Sequence, residues 1–217
     1  MESLEAGIPE RRLSGRRAQA LRNDVLIRQA ARDVFTADPD APMSAVARRA
    51  HVGISALYRR YVSKEELLRQ IARDGLQQYL DEAEAAVADE GDAWAAFAAF
   101  MARILDAETE AITINLAGTF EPSPDLYAMA ERAADLNERI IARTKADGGL
   151  RPDVVVDDLS LILEQVSSIR LGDESRTREL RHRYLALFLD GLRTGGADAL
   201  PGPPPTPEEL GVRWVPR

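Results

Sequence analysis

The sequence predicts an all-α chain in two parts, an N-terminal helix-turn-helix domain of three helices and a larger C-terminal helical bundle. Three observations carry this prediction. Apolar residues recur at helical spacing in almost every window. Two helix-length segments flank "HVG" at 51–53, and a Ser-Lys-Glu-Glu capping sequence follows them. Charge is also split along the chain. Residues 11–64 hold 12 Lys/Arg against 4 Asp/Glu, and the remainder holds 16 against 32. A chain of net charge −8 therefore carries one basic module suited to a polyanion and one acidic module suited to something else.

The elements follow in order. Residues 1–21 form a basic arm, low in apolar content and expected to be flexible, with Arg11, Arg12, Arg16 and Arg17 available for phosphates or a narrow minor groove. A first helix is predicted over 22–37, capped by Asn23 or Asp24, with Ile27, Ala30, Ala31, Val34 and Phe35 on one face. "TADPDAP" makes a turn, and Pro42 suits the first turn of a second helix over 43–50. His51-Val52-Gly53 breaks that helix, and a third runs over 54–61 with Leu57 and Tyr61 inward. Ser63 and Glu66 fit a capping box opening a long fourth helix over 64–89, with Glu66 reaching back to Ser63. Further helices are predicted over 92–106, 109–120, 124–146, 153–170 and 174–193. The last is assigned an inward stripe of Leu180, Tyr184, Leu187, Phe188 and Leu192. Domain bounds follow at 22–70 for the helix-turn-helix domain and 71–196 for the bundle. The tail, 197–217, holds six of the twelve prolines and is expected to be irregular, with Trp214 either docked or exposed.

Composition excludes several classes of chemistry. Without cysteine there is no disulfide, thiolate metal site or cysteine nucleophile. Neither histidine, His51 or His182, has a metal-spaced partner, and no phosphate-binding or nucleophile-elbow glycine motif occurs. Carboxylate pairs such as Asp157-Asp158 sit at exposed or capping positions. An enzyme, a cofactor and a metal are therefore not expected. No apolar run is long enough to span a membrane, so the reading is cytoplasmic. Only Lys64 and Lys145 of 28 basic residues are lysine, a skew in keeping with a GC-rich bacterial genome.

The passage "HVGISALYRRYVSKEELL" (51–68) is where the basic module becomes specific. A helix that enters a major groove needs small residues at its start and phosphate-binding groups beside it. Ile54, Ser55 and Ala56 are compact, Tyr58 and Arg59 lie opposite the Leu57–Tyr61 face, and Lys64 sits at a helix N-terminus that favours phosphate. The stretches "IRQAARDVF", "VARRAHV" and "ALYRRYVSKEELL" resemble the N-terminal domain of the TetR family of transcriptional regulators. His51 stands where that family commonly has glycine, Gly53 where serine is frequent, Ala56 where threonine is frequent, and Val62 where proline is common.

The resemblance implies groove or phosphate contact by Ile54, Ser55, Ala56, Tyr58, Arg59 and Lys64, and core roles for Leu57, Tyr61 and Leu68. It implies a homodimer closed by the last two helices, where the extra apolar residues Leu161, Leu185 and Leu189 are the interface candidates. It also implies an unidentified small-molecule effector inside the C-terminal bundle. Phe97, Phe100, Met101, Asn115, Phe120, Tyr127, Gln165 and Ser168 are the pocket candidates. The expected function is a DNA-binding regulator, a repressor of a pseudo-palindromic operator released by that ligand. The alternative is a constitutive helix-turn-helix dimer with no effector.

Overall fold

The computed structural model describes residues 15–107, 119–195 and 198–212. Nine helices make up almost all the regular structure among them: α1 (Gly15–Ala37), α2 (Met43–Arg49), α3 (Ile54–Arg60), α4 (Lys64–Ala88), α5 (Ala93–Ala107), α6 (Pro124–Ala146), α7 (Val156–Ser167), α8 (Glu174–Leu192) and α9 (Pro207–Gly211). None of the described helices is long and apolar enough to cross a membrane. The predicted helix over 109–120 lies almost wholly outside the described residues, as do Asn115, Trp214, Arg11 and Arg12.

Local chemistry sets the boundaries. Ser63 caps α4, its hydroxyl accepting from the Glu66 N–H at 3.1 Å. The Glu66 carboxylate reaches one residue further back than predicted, to the Val62 N–H at 2.7 Å. Asp92 and Asp173 cap α5 and α8 in the same way, and Gly148 ends α6 at φ +77. α1 starts well before Arg22, so residues 15–21 of the arm are helical and Asp24 lies inside the helix instead of capping it. α7 is shorter than predicted at both ends. Arg151 and Asp153 pair beside an antiparallel bridge between Leu150 and Arg193, which keeps the chain extended up to Val155. At its far end the carbonyls of Ser167 and Ile169 are taken by arginine side chains. The tail is not wholly irregular: Thr206 and Glu209 form a reciprocal capping box that starts the short α9.

Two apolar cores result. The first joins α1, α2, α3 and the first half of α4 around Phe35, Val46, Leu57, Leu67 and Ile71. The second joins the second half of α4 with α5, α6, α7 and α8 around Phe97, Phe100, Ile104, Ile140 and Leu163. Leu76 packs against both, so α4 is a beam common to the N-terminal head and the C-terminal body. Phe120 and Leu126 also belong to the head's core although they flank the start of α6. Arg69 donates to the Glu121 carbonyl at 3.2 Å, and Arg73 pairs with Asp125. The segment 119–126 is thus a plug seated in the head.

One face was misread. On α8 the residues turned inward are Arg181, Leu185 and Leu192, with Leu189 half-buried against the body's core. Tyr184, Leu187 and Phe188, assigned inward from the sequence, are 45%, 55% and 39% exposed. Both stripes have helical spacing, so periodicity alone could not choose between them. Arg181 decides the phase: its guanidinium reaches the carbonyls of Ser167 and Ile169 at the end of α7. Leu185 is consequently a core residue of its own chain, and Leu161 on α7 is half-buried.

Candidate nucleic-acid interface

α2, the turn and α3 have helix-turn-helix geometry. Gly53 adopts an extended conformation before α3 and its carbonyl accepts from the Ala56 and Leu57 N–H groups. His51 sits in the left-handed region at φ 54, which explains why glycine suits this position. Leu57 is fully buried and pins α3 into the head. The opposite face is left outward: Ile54 (41%) and Tyr58 (49%) are exposed, as are Ser55 and Arg59, while Ala56 is half-buried. The predicted contact residues of α3 therefore do share one side of one helix.

A polar clasp that the sequence did not reveal fixes this helix. Arg60, its last residue, places Nε 2.6 Å and Nη2 3.2 Å from the two carboxylate oxygens of Asp24 on α1. The Tyr61 hydroxyl donates to the same carboxylate at 2.7 Å. Arg28 lies 3.6 Å from Asp24 and 3.2 Å from Asp74 on α4, so the clasp spans three elements. Burial alone would raise the Asp24 carboxyl. The hydrogen bonds from Arg60 and Tyr61, with the charges of Arg60 and Arg28, outweigh it and hold the group below its ordinary value. Burial, then the Asp24 hydrogen bond, pushes the Tyr61 phenol well above its ordinary value. The clasp orients α3 and leaves Ile54, Ser55, Tyr58 and Arg59 facing outward.

The cations sort into two sets. Arg60 is held by Asp24, and Arg49 by Asp33 at 2.6 Å. Arg48 and Arg59 are exposed and form no ion pair among the described residues. Lys64 departs from expectation. Its Nζ donates to the Pro39 carbonyl at 2.6 Å and lies 5.0 Å from the Phe35 ring centroid, so the ammonium braces the α1–α2 turn instead of facing outward. Arg16 and Arg17 fall on the first turn of α1, and their side chains lie outside the described residues.

The pocket candidates do not converge. Phe97, Phe100 and Met101 are fully buried core residues, Phe120 belongs to the head, and Tyr127, Gln165 and Ser168 are exposed. Phe97, Phe100 and Met101 share one face of α5, and close packing absorbs them. Phe97 borders a cavity of about 240 Å³ between α4, α5 and α6. A larger cavity of about 510 Å³ lies between the end of α5 and the start of α8. His182 borders it, with Nε2 2.7 Å from Asp106 Oδ1.

Residues 27–71 match the family model described as bacterial regulatory proteins, tetR family. Residues 89–194 match that of the SbtR-like transcriptional regulator C-terminal domain. Among solved structures, a TetR transcription regulatory protein from Mycobacterium vanbaalenii is 25% identical, with a TM-score of 0.55 over 82% of this chain and 99% of that one. SCO0520 from Streptomyces coelicolor is 27% identical, with a TM-score of 0.53 over 80% and 99%. LfrR from Mycobacterium smegmatis, solved in complex with proflavine, shares the fold at 22% identity, with a TM-score of 0.63 over 83% and 99%. No curated protein matches the chain significantly.

Proposed function

Because this chain belongs to the TetR family of DNA-binding transcriptional regulators, we propose that it acts as a homodimeric repressor whose operator affinity falls when a small molecule binds its C-terminal body. The observation that carries the reading is the outward face of α3. Ile54, Ser55, Tyr58 and Arg59 stand clear of the body's fold while Leu57, Arg60 and Tyr61 anchor the helix behind them. Compact residues at the start of α3 enter the major groove and contact base edges, with Ala56 close behind. Arg59 and Arg48 bind phosphates, and Arg16 and Arg17 extend the contact along the duplex. Lys64 acts indirectly, by bracing the turn before α2.

The dimer is supported by the exposed Tyr184, Leu187 and Phe188 on α8, an apolar strip on a helix whose other side already fills the core. Two copies packed on these strips and on Leu161 would hold two heads side by side. The effector is supported by the 510 Å³ cavity, within the range that holds small ligands, and by the relative solved with proflavine. That cavity argues against the constitutive alternative. Release follows by population shift: a ligand lowers DNA affinity only by its preference for the conformer whose heads do not fit the operator.

Selection of genomic fragments bound by the full chain tests the reading. The expected sites are pseudo-palindromes with half-site centres one helical turn or more apart. Bound fragments without inverted symmetry would remove the dimeric operator from the account.

A further inference from the structure

The first turn of α3 carries an isoleucine that the head leaves uncovered on one side. Ile54 opens the helix and is 41% exposed, while Leu57, three residues on, is fully buried and anchors the same helix. The outward residues fall into two columns at i, i+4 spacing. Ile54 and Tyr58 form an apolar column, and the exposed Ser55 and Arg59 form a polar one. Gly53, just before the helix, keeps this end clear. Its φ of −66 is one that any residue adopts, and a Cβ added there would meet nothing within 4 Å. Neither the backbone nor the packing therefore asks for glycine, and the space beside the start of α3 stands open. A single exposed isoleucine is ordinary on a protein surface. This one lies in the stretch 11–64, where 12 Lys/Arg against 4 Asp/Glu call for a polyanion, and it has no charge or hydrogen bond to offer one.

We propose that Ile54 is a specificity-determining residue, packing on the methyl group of one thymine in each operator half-site. The assignment rests on the DNA-binding reading above and names what this face selects. A major groove offers an isoleucine little. Guanine, adenine and cytosine present only donors and acceptors along that edge, and thymine alone adds a methyl group. Covering a donor or acceptor with Ile54 strips its water and returns no hydrogen bond, so the residue penalises the other three bases as well as favouring thymine. The polar column cannot make that choice. Ser55 bonds to the edge of more than one base, and Arg59 serves the phosphates, which carry no sequence. Ile54 also stands at the start of the helix, the part that meets base edges when such a helix lies in the groove.

Operator duplexes in which each half-site thymine is replaced in turn by deoxyuridine test the assignment, with affinity for the full-length chain read by fluorescence anisotropy. Uracil pairs as thymine does and lacks only the methyl group, so the protein itself is untouched. At one position per half-site the change should weaken binding about fourfold, and about fifteenfold when made in both halves, the worth of one buried methyl-sized group in each. Ile54→Ala alters an exposed position and leaves the buried Leu57 in place. In that variant the same deoxyuridine should cost nothing. An operator with no uracil-sensitive thymine would overturn the assignment. So would a sensitivity that survives in Ile54→Ala, which would pass the methyl group to Tyr58 or to the shape of the duplex. A chain that selects no DNA loses the regulator reading and the role of Ile54 with it. One that binds its operator and ignores uracil loses only that role.

Discussion

Helix α4 runs through both halves of the molecule, and the halves finish their packing around it in different ways. The head closes on itself. Its core is sealed by the Asp24–Arg60–Tyr61 clasp, by Lys64 over Phe35, and by a plug, Phe120 and Leu126, borrowed from the body. The body fills its interior with Phe97, Phe100 and Met101 yet leaves Tyr184, Leu187 and Phe188 uncovered. Charge follows the same division, because the basic excess lies in residues 11–64 and the acidic excess elsewhere. A head that must present one rigid face to DNA needs internal fixing, whereas the proposed dimer needs an apolar face left over on the body. The plug makes the two halves mechanically one.

The largest effect is expected at that plug. Phe120 is 5% exposed in the head's core, and Phe120→Ala should cost about 3–5 kcal/mol of unfolding free energy. If the plug belongs to the head, amide exchange should rise in α1–α3 as much as in α6. Protection lost only in α6 would detach Phe120 from the head and leave the halves independent.

The uncovered face comes next. Leu187→Glu and Phe188→Glu should yield folded monomers with operator affinity reduced about 100-fold, near 2.7 kcal/mol. Leu185→Glu should behave differently, because it places a charge in a 2%-exposed core position and unfolds the body instead. Sedimentation combined with circular dichroism separates these outcomes. A folded monomer from Leu185→Glu with an intact dimer from Leu187→Glu would reverse the assignment of faces.

These contrasts show what the residues disclosed in advance. The head was legible because each local signal agreed: "LYRRYVSKEELL" supplied the cap, the buried Leu57 and Tyr61, and the exposed Tyr58 and Arg59 at once. The clasp was not legible, since Asp24 stands in "RND" as readily as a cap, and nothing in spacing joins it to Arg60, thirty-six residues on. Nor was the direction of Lys64, whose chain is long enough to reach either a phosphate or the Pro39 carbonyl. In the body, α8 carries apolar residues on more than one side. Only packing against α7 shows that Leu185 and not Tyr184 goes inward. Phe97, Phe100 and Met101 show the same limit: large side chains on an inward face fill a core unless something keeps them apart.

The clasp should show a moderate and pH-dependent effect. Asp24→Asn keeps the shape but removes the charge facing Arg60 and Arg28, and should cost about 1–2 kcal/mol at neutral pH, Arg60 being partly solvated. The Asp24 carboxyl is held below its ordinary value, so its contribution is fully present above the unfolded carboxyl's value near ~3.9 and fades as pH falls through the folded one. Wild type and variant should therefore differ by a constant amount at neutral pH and converge in acid. Urea melts across pH 2–7 (roughly the span of carboxylate titration) measure this, and a gap that widens in acid contradicts the clasp.

The smallest effect distinguishes two cations only five residues apart. Arg59 is exposed on the outward face of α3, while the Lys64 ammonium is engaged with the Pro39 carbonyl and lies near the Phe35 ring. Arg59→Ala should lower the salt dependence of operator binding by about one unit per subunit, since one fewer counterion is displaced from the phosphates. Lys64→Met keeps an unbranched stem over Phe35 and gives up the Pro39 hydrogen bond and the ammonium's contact with the Phe35 ring. It should cost about 0.5–1.5 kcal/mol of stability and leave the salt slope unchanged. Affinity measured at a series of salt concentrations reads both slopes directly. An equal fall in slope for Lys64→Met would mean that the ammonium leaves Pro39 for a phosphate when DNA arrives. Lys64 would then join the reading surface, and the head would be less rigid than its clasp and bracing contacts imply.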